Sequence, residues 1–254
     1  AQAQQVMLRA YAPSLEVHTR GGFDRIGALR WGQGATPVVD TAQPLAYQRV
    51  ATTRYGTQTW VQLVYSFWFS ERPAAGAFDL LSGALDAVVL RITLSPDGAP
   101  VLVDTIHACG CYHLFIPTEA LQPVPGPQWQ EWAFVPGTLP RLGLGQRVQV
   151  RVASASHYVV DVRPDTETDL PAVPYMLQDE DALRALPLPG GGTRSVFGAN
   201  GIIAGTERAE RFLFWPMGIE SPGAMRQWGR QPTAFVGRRH FDDARLIEER
   251  FKLR

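Results

Sequence analysis

Thr57-Gln58-Thr59-Trp60-Val61-Gln62-Leu63-Val64-Tyr65-Ser66-Phe67-Trp68-Phe69-Ser70 is the stretch that decides the fold. Side chains alternate between the two faces of a strand. Thr59, Val61, Leu63, Tyr65, Phe67 and Phe69 therefore share one face, and Trp60, Val64 and Trp68 the other. Aromatic and β-branched residues on both faces predict a central strand covered on both sides.

Outward from it, residues 87–94 read as a second strand. Ser95-Pro96-Asp97-Gly98 reads as a hairpin turn, because Pro presets φ and Gly accepts a positive φ. The partner strand then runs from about Pro100 into the segment around Cys109 and Cys111. Residues 147–162 read as a strand pair or a bulged strand. Val148, Val150 and Val152 alternate there before the small residues 153–156, and His157 follows near a strand end.

Residues 163–174 are rich in Asp, Thr, Glu and Pro, the composition of an exposed linker. We expect a single domain over 1–254, with any internal boundary near 163–174, between a β core (1–162) and a C-terminal extension (175–254). In that extension residues 179–186 predict a short helix stopped by Pro187, and Gly190-Gly191-Gly192 a loop. Ser221-Pro222 predicts an N-cap followed by Pro at the first helical position, opening a helix toward Trp228. Asp242 is placed to cap a last helix that buries Leu246, Ile247 and Phe251. The fold class is thus mainly β: an antiparallel β-sandwich or barrel-like domain with a loop-rich C-terminal third carrying short helices.

Composition narrows the function classes. Twenty-four basic residues balance 24 acidic ones, which leaves no positive excess for a phosphate backbone, so nucleic acid is not an expected partner. All basic residues but Lys252 are arginine, a usage expected of a GC-rich bacterial genome. No apolar run reaches the roughly 18 residues of a membrane span. The opening Ala1-Gln2-Ala3-Gln4-Gln5 resembles a signal-peptidase product and points to a periplasmic or secreted protein, with an unknown small molecule or envelope component as partner.

The chemistry concentrates in His107-Ala108-Cys109-Gly110-Cys111-Tyr112-His113. The chain's two cysteines lie one residue apart, so a bridge between them would close almost no loop and would not staple the fold. The segment reads as a strand, in which His107, Cys109, Cys111 and His113 share a face at steps of about 6.6 Å. Thiolate and imidazole together suit a copper or zinc ion. The ends of a straight strand would lie about 20 Å apart, so one ion could use only neighbouring ligands. The remainder would come from a bend at Gly110 or from elsewhere, with His157 first and His240 next. The expectation is an exported copper or zinc protein, oxidative if copper and hydrolytic if zinc should a coordination position stay open.

Two alternatives stay beside it. A thiolate with His157 or His113 as base could serve a Cys-His thiol enzyme, or Cys109 and Cys111 a periplasmic redox couple. A noncatalytic β-sandwich could instead bind envelope polymer or a protein through Phe212, Phe214, Trp215, Trp228 and Phe235. Glu220, Asp242 and Asp243 are further acid, base or supporting candidates that the sequence does not rank.

Overall fold

The computed structural model describes residues 2–125, 132–166, 172–233 and 240–254. Nine strands position the site: β1 (Ser14–Val17), β2 (Leu45–Tyr55), β3 (Gln58–Arg72), β4 (Gly83–Leu94), β5 (Pro100–His107), β6 (Leu114–Pro117), β7 (Val148–Val152), β8 (Val159–Pro164) and β9 (Met176–Asp179). Six of them form one sheet in the order β9-β2-β3-β4-β5-β6, antiparallel except for the parallel β9–β2 edge. The order β1-β7-β8 makes a second, three-stranded sheet. The protein is therefore a mainly β sandwich.

The opening stretch lies inside β3, whose two faces divide as alternation requires. Leu63, Tyr65, Phe67 and Phe69 join Val88, Leu90 and Ile92 of β4 against Leu15, Val148, Val150 and Val152 of the second sheet. Val64 and Trp68 face the other way and are covered by Leu183, Phe197, Ile203, Met225 and Phe241 from the C-terminal third. Trp60 enters a smaller cluster with Leu246, Ile247 and Phe251. Full burial of each such side chain contributes about 1.5–3 kcal/mol, which makes β3 the element on which both layers depend.

The hairpin turn forms as the sequence predicts: the Gly98 amide donates to Ser95 O at 2.8 Å, with Gly98 at φ 91°. β7 and β8 are the expected strand pair, with a register shift between Arg151 and Val152. A short 3-10 helix, Glu180–Ala185, is capped by the Asp179 carboxylate, which accepts from the Asp181 amide at 2.9 Å. The last helix is Leu246–Arg250.

Three local expectations need correction. β5 ends at His107, because the chain turns there: the Gly110 amide donates to His107 O at 2.8 Å, and the His107 amide to Cys111 O at 2.9 Å. No helix opens at Ser221-Pro222; Ser221 has φ 45°, outside helical space, and the Ala224 amide closes a single turn on its carbonyl. Conversely, Gln2–Ala10 is a helix the strand-rich N-terminal half had not suggested. Its Ala, Gln, Met and Leu content favours helix, and Leu8 docks it on the core beneath Tyr65, whose hydroxyl donates to Leu8 O.

Of the linker-like stretch, 167–171 lie outside the described residues. On either side of it, β8 extends to Pro164 and the Val173 amide donates to Leu15 O at 2.8 Å. Among the described residues no helix is long and apolar enough to cross a membrane.

Candidate functional site

The site lies where β4 begins and β5 ends. Asp86 shares a face with Val88 and Leu90, so alternation aims its carboxylate into the space between the two sheets, where it is fully buried. It accepts from His107 Nδ1 at 3.3 Å and from His157 Nδ1 at 2.8 Å. Burial alone would oppose ionisation. The charge and hydrogen bond of His107, then those of His157, outweigh it and hold the Asp86 carboxyl far below the ordinary carboxylate range.

His157 comes from the β7–β8 connection and stacks on Phe69, with ring centroids 3.8 Å apart. Its Nε2 faces Phe23 O at 3.2 Å and Asp24 Oδ1 at 3.6 Å, so acceptors stand at both ring nitrogens. Asp24 accepts in turn from the amides of Arg20, Gly21 and Ala155 and from the Ser154 hydroxyl. Burial raises the Asp24 pKa, but these donors, led by the Ala155 amide, bring it below the usual value. A chain of buried polar contacts, Asp24–His157–Asp86–His107, thus ties two loops and both sheets together.

Backbone strain gathers around this chain. Leu85, Tyr112, Ala155 and His157 all have positive φ, a region that costs a side chain-bearing residue about 1–3 kcal/mol. Leu85 precedes Asp86, and Ala155 donates to Asp24. Tyr112 packs edge-on against His107 at 5.1 Å. The polar network offsets the strain by over-determining these conformations.

The five residues proposed from sequence are therefore divided. His107 and His157 meet through Asp86. Cys109 and Cys111 meet in the turn, where the Cys111 amide donates to Cys109 Sγ at 3.3 Å. His113 leaves to the other face of the sheet and its Nε2 lies 2.9 Å from Asp104, which also pairs with Arg91 through both carboxylate oxygens. Arg91 in addition donates to Phe241 O and lies over the Phe241 ring. His240 bridges to Pro232, its amide bound to Asp243. Among the described residues no three His, Cys, Asp or Glu side chains are grouped so as to hold a metal ion. This overturns the reading of His107-x-Cys109-x-Cys111-x-His113, with His157, as a copper- or zinc-binding strand; its premise of one shared face fails because the segment is a turn.

Beside the network open two adjoining cavities of about 320 and 290 Å³, sharing Cys109, Cys111, Glu210 and Phe214 as walls. The first also reaches Asp86 and His107. His107 Nε2 is buried and has no hydrogen-bond partner among the described residues. With Nδ1 engaged by the Asp86 carboxylate, Nε2 is the ring nitrogen left to meet a ligand. Glu210 is nearly buried, and its carboxylate accepts no hydrogen bond from any described residue; burial pushes its pKa up against the pull of Arg208 and Arg72. Arg208 is anchored by donating to Ala84 O and Leu85 O.

Along the rim runs the short helix Arg211–Phe214, continued by Trp215–Met217. Phe212, Leu213, Phe214 and Trp215 are all exposed, Trp215 by 72%. Phe212 and Trp215, together with Arg211 and Glu220, line a third cavity of about 400 Å³ that meets the second at Ile219 and Pro222. Four adjacent large apolar side chains are thus left in water, an exposed apolar patch. Of these residues, Phe212, Phe214, Trp215 and Glu220 were legible in the sequence. Asp86, Arg208 and Glu210 were missed. The available signal for Asp86 was an acid in register with Val88, Leu90 and Ile92; Phe235 lies outside the described residues.

No family model matches the chain, and no curated protein matches it. Three solved structures are similar. One is described as a toxin fold for microbial attack and plant defense, 14% identical over 79% of this chain and 87% of that one, with a TM-score of 0.40. The second, NLPPya in complex with mannosamine, is 13% identical over 79% and 87%, TM-score 0.37. The third is Necrosis and Ethylene inducing Protein 2 from the causal agent of cocoa's Witches Broom disease, 15% identical over 68% and 72%, TM-score 0.34.

Proposed function

We propose that the protein is a noncatalytic β-sandwich binding module whose cleft takes a hydroxyl-rich ligand, an envelope glycan. One observation carries the reading: the cavity wall holds the buried His107 Nε2, which has no hydrogen-bond partner among the described residues, and the Glu210 carboxylate, beside the exposed Phe214 ring. A sugar supplies hydroxyls, which both donate and accept, for these groups and an apolar ring face for stacking on Phe214, which borders both cavities. The neutral net charge leaves recognition to these groups rather than to a long-range field. Such polymers lie outside the cytoplasm, and the reading places the protein there.

The test is co-sedimentation with purified cell-envelope polysaccharide, comparing wild type with Phe214→Ala and Glu210→Gln. Each substitution should weaken binding about tenfold or more, the loss of one stacked ring or one hydrogen bond to a charged group. Unchanged binding in both would reject this cleft. Equal retention on bare phospholipid vesicles would instead assign the aromatic rim to a lipid surface.

A further inference from the structure

Cys109 and Cys111 stand on either side of Gly110 in the turn after β5, and both border the two cavities. The turn holds the sulfurs together. Gly110 has φ 95°, and a Cβ there would lie 2.2 Å from Pro232 O, so only glycine fits under the Pro232 backbone. The Cys109 thiol accepts from the Cys111 amide at 3.3 Å, which folds the second cysteine back toward the first. Cys109 is 8% exposed while Cys111 is more open, giving an outer and an inner sulfur. The positive charge of Arg226 acts on both, and that of Arg208 on Cys109.

We propose that Cys109 and Cys111 are a redox-active dithiol, a modification site in the cleft wall that peroxides convert to an intrachain disulfide. Cys111, the outer sulfur, loses its proton to water and attacks one oxygen of hydrogen peroxide. The O–O bond breaks, the departing hydroxide takes up that proton to become water, and Cys111 becomes a sulfenic acid. The Cys109 sulfur then attacks the Cys111 sulfur; the S–O bond breaks, and the leaving hydroxide takes the Cys109 proton as a second water. Two thiols are oxidised by two electrons, which reduce one peroxide to two waters. Contact with the Cys111 thiol, and then burial, push the Cys109 thiol up and keep it protonated until the second step. Nothing in this chemistry depends on the glycan reading.

The experiment treats the reduced full chain with stoichiometric hydrogen peroxide at neutral pH and reads intact mass and unreduced peptide maps. The expected product is monomeric, lighter by two hydrogen atoms, with Cys109 and Cys111 linked in one peptide and restored by dithiothreitol. Cys109→Ser should stop at a Cys111 sulfenic acid that dimedone traps, and Cys111→Ser should react at least tenfold more slowly than wild type. A wild type that stays unmodified, goes to a sulfinic or sulfonic acid without the disulfide, or forms interchain dimers would overturn the proposal. Because no ligand is present, loss of glycan binding in other experiments leaves this result standing, and the reverse also holds.

Discussion

His157 Nδ1 lies 2.8 Å from Asp86 Oδ2, a hydrogen bond that crosses from the β7–β8 connection of one sheet to β4 of the other. Asp86 serves His107 with its second oxygen, so one carboxylate fixes both the sandwich and the cavity wall.

Replacing Asp86 by Ala leaves two buried imidazoles without their shared acceptor and should destabilise the fold by about 3–5 kcal/mol at neutral pH. Because the folded carboxyl is held low, its contribution is fully present above the unfolded value near 4 and is lost as pH falls through the folded value. Urea midpoints of wild type and Asp86→Ala should therefore converge as the solution is acidified below about pH 4. A gap that stayed constant with pH would show that charge is not what the network contributes.

Asp104→Ala tests the opposite face. It strips the buried Arg91 of both carboxylate contacts and His113 of its partner at 2.9 Å. A loss of about 3–5 kcal/mol is expected by chemical denaturation, since an uncompensated buried cation remains. A loss below about 1 kcal/mol would mean that the pair behaves like an exposed salt bridge.

Glu210→Gln should separate stability from binding. Burial raises the folded carboxyl above its unfolded value, so ionisation penalises the fold as pH rises through that window and does not below it. The Gln variant should melt higher than wild type at pH 7 and equally at pH 3, while binding the glycan less well. A lower melting temperature at pH 7 would show that attraction to Arg208 and Arg72 outweighs burial.

Gly110→Ala should cost at least about 1–3 kcal/mol, because a side chain there meets both a disfavoured φ and the Pro232 carbonyl. Thermal melts measure the cost. A neutral substitution would mean that the turn relaxes freely, and the enforced proximity of Cys109 and Cys111 would lose its structural basis.

The sequence by itself determined a mainly β fold with a central strand covered on both faces, and left sandwich and barrel open. In β3 the pattern of Trp60, Val64 and Trp68 against Leu63, Tyr65, Phe67 and Phe69 has a period of two, and that period is a property of the backbone which no distant contact needs to supply. The hairpin at Ser95–Gly98 was legible for the same reason, since Pro and Gly act on their own φ angles. The fate of His107, Cys109, Cys111 and His113 was not. Alternation would have aligned them, but Pro232, more than a hundred residues away, packs on Gly110 where the chain turns, and two buried acids claim the histidines from opposite faces of the sheet. Tertiary structure alone decided which carboxylates those were, because a buried acid finds its partners through space. Asp86 met His157 across 71 positions of chain, a pairing that no local period encodes.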